Sequence, residues 1–224
     1  MQTVFITGID KGIGHALMEK FLHEGFFVVG TYLALPPQGE REHLQVVPLD
    51  LAKTESIAAC VQTFAAQNKK IDILINNAGV MLDESETHVV VEKLRHTLEV
   101  NLFGTIDLTE QLLPYMVSGG HIINISSTAG SLEDTDHNVS HFPGHYPAYK
   151  ISKAALNMYT RTLAMRLKSE NITVSSVHPG WVQTDMGGHE AAITPKEAAE
   201  GIFATAITRP ETGQFWYNNT HVPW

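Results

Sequence analysis

The chain has a single cysteine, Cys60, in 224 residues. No intrachain disulfide can form, which suits a reducing compartment, most simply the cytoplasm. Cys60 sits among Ile57, Ala58, Val61 and Phe64, the setting of a core residue rather than a nucleophile. Positive charge is also scarce. Fifteen Lys and Arg against 24 Asp and Glu leave a formal net charge of −9, which argues against nonspecific binding to nucleic acid or to anionic membranes. No apolar run is long enough to span a bilayer. The chain enters a strand-like run, Thr3-Val4-Phe5-Ile6, with no basic stretch ahead of it, so no signal peptide is expected. Neither an internal repeat nor a low-complexity tract is visible. What remains, 43% hydrophobic and 17% charged, is an ordinary globular composition. It is long enough for one domain over residues 1–224 with a full core.

The pattern along the chain alternates strands and helices. Residues 3–6 read as a buried strand. Thr7-Gly8-Ile9-Asp10-Lys11-Gly12-Ile13-Gly14 follows, and then a helical stretch through Leu17, Phe21 and Leu22, ended by Gly25. Strand, glycine-rich turn and helix together form a context in which free N–H groups and a positive dipole end meet a phosphate. The spacing Gly8, Gly12, Gly14 differs from the commonest dinucleotide fingerprint. Further strands are expected at 26–32, 44–49, 71–75, 121–125, 172–177 and 214–217. Helices are expected at 54–67, at 88–117 as one broken or two consecutive helices ended by Pro114, at 148–170, and at 195–208 with Pro195 in the first turn. Helices between strands imply a parallel sheet covered on both faces, of about seven strands in a doubly wound Rossmann-type α/β fold. Ligands of such sheets sit beyond the carboxyl ends of the strands. Gly8, Asn76, Ser127 and Pro179 each follow or end a strand at that edge.

Residues 131–147 read as a polar loop. His137, His141 and His145 in it have a spacing that hints at metal, but Pro143 and Gly144 break the helix that would align them, so no metal site is expected. Asn101, flanked by Val100, Leu102 and Phe103, must find buried partners. After the second strand stand Thr31-Tyr32-Leu33, with neither acid nor base. No carboxylate there would repel a 2′-phosphate, and Lys11 is the nearest cation in the glycine turn, which shifts the weight toward NADP(H).

Tyr149-Lys150-Ile151-Ser152-Lys153 places a phenol four residues before an ammonium, on one face of a helix. A positive charge at ~4 Å and an effective dielectric of ~20 is worth roughly 4 kcal/mol. That could bring the phenol roughly 3 below its free pKa of about 10 and make it an acid/base group for physiological pH.

Taken together, Thr7-Gly8-x-x-x-Gly12-Ile13-Gly14, Asn76-Asn77-Ala78-Gly79, Asn101, Ser127, Tyr149-x-x-x-Lys153 and Pro179-Gly180 resemble the short-chain dehydrogenase/reductase family over almost the whole chain. His178 to Gly188 and the tail Val222-Pro223-Trp224 are similar to its C-factor-like and sniffer-like carbonyl reductases. The resemblance implies NADP(H) as preferred cofactor, with NAD(H) possible, and a small-molecule carbonyl or alcohol as substrate. It implies Asn101, Ser127, Tyr149 and Lys153 as catalytic residues, with Ser126 a fallback for Ser127. Tyr149 would donate the proton and Ser127 would hold the same oxygen. Lys153 would lower the phenol's pKa and bind the nicotinamide ribose, and Asn101 would hold a water linking Lys153 to solvent. Cofactor contacts are expected from Gly8, Asp10, Lys11, Gly12, Ile13, Gly14, Tyr32, Asp50, Leu51, Asn77, Ala78, Gly79, Tyr149, Lys153, Pro179, Gly180, Val182 and Thr184. Lys11 is one of the family's NADP markers. The arginine that many NADP-binding members carry after the second strand is absent at Leu33, and the gap from Ser127 to Tyr149 is longer than usual.

Two other readings stay open on the sequence: a dinucleotide-binding signalling module with little turnover, and an NAD-dependent alcohol dehydrogenase. The substrate pocket is expected to be lined by residues 80–88, 131–147 and 185–194. Apolar arcs on 102–117 and 148–170 suggest a homodimer or homotetramer.

Overall fold

A computed structural model describes residues 1–39, 41–133 and 144–224. In chain order the elements are β1 (Thr3–Ile6), α1 (Gly12–His23), β2 (Phe27–Tyr32), β3 (Leu44–Pro48), α2 (Thr54–Ala65) and β4 (Ile71–Asn76). Then come α3 (Val91–Leu98), α4 (Thr105–Leu112), β5 (Met116–Ile125), α5 (Pro147–Leu167), β6 (Thr173–Val177), α6 (Pro195–Thr208), β7 (Gln214–Tyr217) and β8 (Thr220–His221). The strands form one sheet in the order β3-β2-β1-β4-β5-β6-β7-β8. All neighbours are parallel except the β7–β8 pair. The chain winds outward from β1 to β3, then returns to β4 on the other side of β1. The strand order therefore reverses between β1 and β4, where such sheets bind ligands.

Alternation along the strands builds two cores. Val4, Ile6, Ile73 and Ile75 turn toward Leu17, Met18 and Phe21 of α1 and Ile202 and Phe203 of α6. Phe5 and Leu74 turn the other way, onto Ile57 and Phe64 of α2, Leu108 of α4 and Leu163 of α5. Cys60 lies in this second core, and burial pushes its thiol up to about 12.

The structure refines the sequence expectations at three places. The helical stretch before Pro114 is one broken helix: α3 runs into a π-helical segment, Glu99–Gly104, and on into α4. The extra residue per turn brings Asn101 inward, where it is fully buried and bonded. β5 starts at Met116 rather than near 121, since Pro114 ends the helix in a 3₁₀ turn and an irregular pairing between Ile71 and Ile73 absorbs the surplus residues. β8 adds a short antiparallel edge beyond the seven expected strands. At α6, Pro195 occupies the first turn as expected. Thr194 and Glu197 close a capping box around it.

Candidate active site

The two loops at the reversal point are stitched together. The Thr7 hydroxyl accepts the N–H groups of Asn77 and Ala78, both at 2.9 Å, and the Asn77 amide donates to the carbonyls of Thr7 and Gly8 at 2.9 and 3.2 Å. Gly8 in turn donates its N–H to the Thr31 hydroxyl on β2. The turn closes so tightly that a Cβ on Gly14 would stand 1.9 Å from the Gly8 carbonyl oxygen. Only glycine allows this approach. α1 then begins without a capping side chain and without an acidic residue in its first turn. Its leading N–H groups and positive dipole end are left for an anion.

At the ends of β5 and α5, the two serines separate in role. The Ser126 hydroxyl is buried and donates to Asn157 Oδ1 at 2.6 Å. Ser127 caps the 3₁₀ turn Thr128–Gly130, accepting the Ala129 N–H at 3.1 Å, and lines the same cavity as Tyr149. A Cβ on Gly130 would stand 2.6 Å from the Lys153 carbonyl carbon, so this turn lies directly on the helix that carries the tyrosine. Tyr149 keeps part of its surface open to a cavity, yet protein surrounds it closely enough that desolvation pushes the phenol up to about 12, with the Ser127 hydroxyl pulling the other way. The expected lowering by Lys153 is corrected here. The ammonium lies 5.5 Å from the ring centroid and donates to the Ile125 carbonyl at 2.8 Å, so its attraction does not outweigh burial. Burial also lowers the Lys153 ammonium to about 8.

Asn101 reaches the same place from the π-helical segment. Its Oδ1 accepts the Val80 N–H at 2.7 Å, and its amide donates to the Val80 carbonyl at 2.8 Å and to the Ser152 hydroxyl at 3.1 Å. Both amide hydrogens are committed. A water at Asn101 would therefore have to be held on a carbonyl oxygen, not on the amide. A Cβ on Gly79 would be 3.1 Å from Asn101 Oδ1 and 3.7 Å from Lys153 Nζ, which sets the Asn77–Gly79 corner against both residues.

A cavity of about 160 Å³ joins these parts. Ser126, Ser127 and Tyr149 line it, as do Ile13 from the glycine turn and Pro179, Gly180, Val182 and Thr184 from the segment after β6. Met81, Tyr146, Met186 and Gly187 contribute from the stretches expected to hold substrate; residues 134–143, within the 131–147 stretch, lie outside the described residues. Among the described residues none of the lining side chains is acidic or basic except His178, whose pKa burial lowers to about 4.

The adenine side is more open. Tyr32 ends β2 and Leu33 beyond it is exposed. Asp50 accepts the Ala52 N–H and pairs with Lys53, while Leu51 is buried beside Gly104. Asp10, Lys11 and Gly12 line a separate shallow cleft with Thr194 and Lys196. Lys11 does not extend toward β2. Its ammonium pairs with Asp185 at 2.7 Å, and that bond raises its pKa. Among the described residues no group of three His, Cys, Asp or Glu could hold a metal ion, and His137 and His141 lie outside them. No helix among them is long and apolar enough to cross a membrane.

Thr31 and Ser152 have no site role in the sequence reading, and Tyr146 and Asp83 are covered there only as parts of the stretches 131–147 and 80–88, not as residues that contact α5. The first two are hydroxyls whose partners lie on other elements. Tyr146 stacks edge-on to Tyr149 at 6.4 Å. Asp83 bonds to the start of α5. Nothing local in sequence signals any of these contacts.

The short chain dehydrogenase family model matches residues 2–193. C-signal of Myxococcus xanthus is 35% identical over 161 residues, covering 69% of this chain and 93% of that protein. The NADPH-bound carbonyl reductase from chicken fatty liver superposes with a TM-score of 0.86 at 26% identity, covering 100% of this chain and 94% of that one. Carbonyl reductase Sniffer of D. melanogaster shares the fold, with a TM-score of 0.83 at 24% identity over the full length of both chains. The family match spans most of the chain, and Ile13 of the glycine turn, Ser127, Tyr149 and the Pro179–Thr184 segment line one cavity: this chain belongs to the short chain dehydrogenase family, among relatives that include C-signal and carbonyl reductases.

Proposed function

We propose that the chain is an NADP(H)-dependent reductase of small, uncharged carbonyl compounds. The observation that carries this reading is the cavity in which the Tyr149 phenol and Ser127 face the same space as Ile13 of the glycine turn and the Pro179–Thr184 segment. A dinucleotide fits the residues present. The uncapped start of α1 and the Gly14 close approach suit a pyrophosphate. The backbone after Pro179-Gly180, with Thr184, suits the carboxamide. Asn77–Gly79, Tyr149 and Lys153 would hold the nicotinamide-side sugar. Absence of a carboxylate at Tyr32-Leu33 favours NADP(H) over NAD(H).

When bound, NADPH supplies the hydride. The protein must place the carbonyl and provide one proton. Ser127 holds the carbonyl oxygen, and Tyr149 gives that oxygen its hydroxyl proton as negative charge develops there. A phenol at about 12 keeps its proton at neutral pH, so it is ready to donate. Alcohol oxidation would need the phenolate, which burial makes scarce. Lys153, at about 8, can release and regain a proton near neutrality and return one to the tyrosine. With no charged group among the described lining residues to pair an anionic substrate, neutral aldehydes, ketones or quinones fit best.

The outer face of α5 leaves Ile151, Met158 and Met165 exposed, and Phe103 is exposed on the π-helical segment that packs against α5. Such a face suits a second copy of the chain.

The test is NADPH and NADH oxidation followed against a panel of aldehydes, ketones and quinones, beside fluorescence titration of both dinucleotides. Turnover with NADPH is expected. Tight binding without turnover across the panel would instead favour the signalling-module reading.

A further inference from the structure

We propose that Asp83 is a positioning residue for Tyr149: its buried carboxylate holds the first turn of α5 and so sets where the phenol stands. This rests on reading Tyr149 as the proton donor. Asp83 lies between the Asn77–Gly79 corner and α3 and is 1% exposed. Its Oδ2 accepts the Ala148 N–H at 2.6 Å, from 65 residues further along the chain.

Ala148 is the second residue of α5, and its N–H is one of those a helix cannot satisfy internally. The residue just before a helix usually supplies the acceptor. Here that residue is Tyr146, whose side chain makes no capping bond, and Pro147 has no N–H of its own. Asp83 is thus a cap lent by a distant loop, and its negative charge suits the positive end of the helix.

Its neighbours reinforce the same contact. The Glu84 carbonyl accepts the Gly144 N–H at 2.9 Å, and the Glu86 carbonyl accepts those of His145 and Tyr146 at 2.7 and 3.2 Å. Residues 83–86 are therefore strapped against the entry to α5. Tyr146 sits in that entry at φ 36°, ψ 55°, a left-handed conformation that a residue with a Cβ keeps only when its surroundings hold it. Its ring packs on Tyr149.

The other carboxylate oxygen, Oδ1, is buried with no partner among the described residues. An apolar residue would avoid that cost, so packing alone does not account for Asp83. The phenol is carried by α5, whereas Ser127 follows β5. A shift of the first turn of α5 alters the distance between them, and a displacement of about 1 Å at reacting groups can cost on the order of a hundredfold in rate.

Turnover and NADPH affinity measured for Asp83→Ala, Asp83→Asn and Tyr149→Phe test the proposal. Asp83→Ala is expected to lower kcat at least about tenfold while the Kd for NADPH stays near the wild-type value. Asp83→Asn keeps an oxygen for the Ala148 N–H and should recover most of the loss. Wild-type kcat in Asp83→Ala, or kcat and NADPH affinity falling together, overturns the positioning role. A Tyr149→Phe variant that still turns over overturns the underlying reading instead. If Asp83→Ala does not fold, amide exchange in the wild-type protein decides. The Ala148 amide should exchange far more slowly than that of Ile13 in the uncapped first turn of α1, and equal rates overturn the cap.

Discussion

Replacing Lys153 by methionine should flatten the pH dependence of stability above pH 7. The lysine is 5% exposed, and burial lowers its pKa from 10.5 to about 8. Below pH 8 the folded and unfolded chains both hold the proton, and the folded state carries a desolvated ammonium. Between the two pKa values the unfolded chain keeps a proton that the folded chain has released, so stability rises with pH. That contribution is present above the unfolded pKa and lost as pH falls through about 8. At ~1.4 kcal/mol per pKa unit the full difference is about 3 kcal/mol, of which roughly 2.5 kcal/mol falls between pH 7 and 10. Urea unfolding of both proteins at pH 7, 8, 9 and 10 reads it directly. Loss of the bond to the Ile125 carbonyl offsets the variant's curve as a whole, and the tyrosines titrate in both proteins, so the change in the difference isolates the lysine. Curves that stay parallel over this range would show that the ammonium is not desolvated where the geometry puts it.

Three further outcomes are expected. Ser127→Ala removes the hydroxyl that lines the cavity beside Tyr149, and kcat should fall by about a hundredfold with the NADPH KM nearly unchanged; a wild-type kcat would remove Ser127 from the site. Lys11→Ala should raise the KM for NADPH but not for NADH, while Asp185→Asn, by freeing the ammonium from an exposed pair, should lower the NADPH KM by about twofold. Equal effects on both dinucleotides would detach Lys11 from the 2′-phosphate. Met158→Glu puts a charge in the exposed face of α5, and sizing should find the wild type assembled and the variant monomeric; a monomeric wild type refutes the interface.

The strand and helix order was readable because its signals are local. Continuous apolar runs mark the buried parallel strands, and Gly8, Gly25 and Pro195 mark turns and ends by their own backbone chemistry. Gly8, Asn76, Ser127 and Pro179 stand together in the sequence reading because each ends or comes just after a strand at one edge of the sheet. What escaped depends on partners far away in sequence. Periodicity cannot reveal the π-helical segment, since one inserted residue changes the face of Asn101 without changing its apolar neighbours. The Lys11–Asp185 pair spans 174 residues, and Asp83 meets Ala148 across 65. The sign of the Tyr149 shift was misjudged for the same reason. Spacing on a helix reports which charge stands nearby, but not how much water the fold removes, and here desolvation is the larger effect.

The account turns on a buried phenol giving up its proton beside a bound nicotinamide. Tyr149→Phe removes that proton and leaves the ring, the Lys153 bond to Ile125 and the glycine turn in place. Single-turnover reduction of an accepted carbonyl substrate, with NADPH binding checked by fluorescence, should show nearly unchanged affinity and a rate lower by about 10²–10⁴-fold. A variant that binds NADPH and reduces the same carbonyl at the wild-type rate would contradict it.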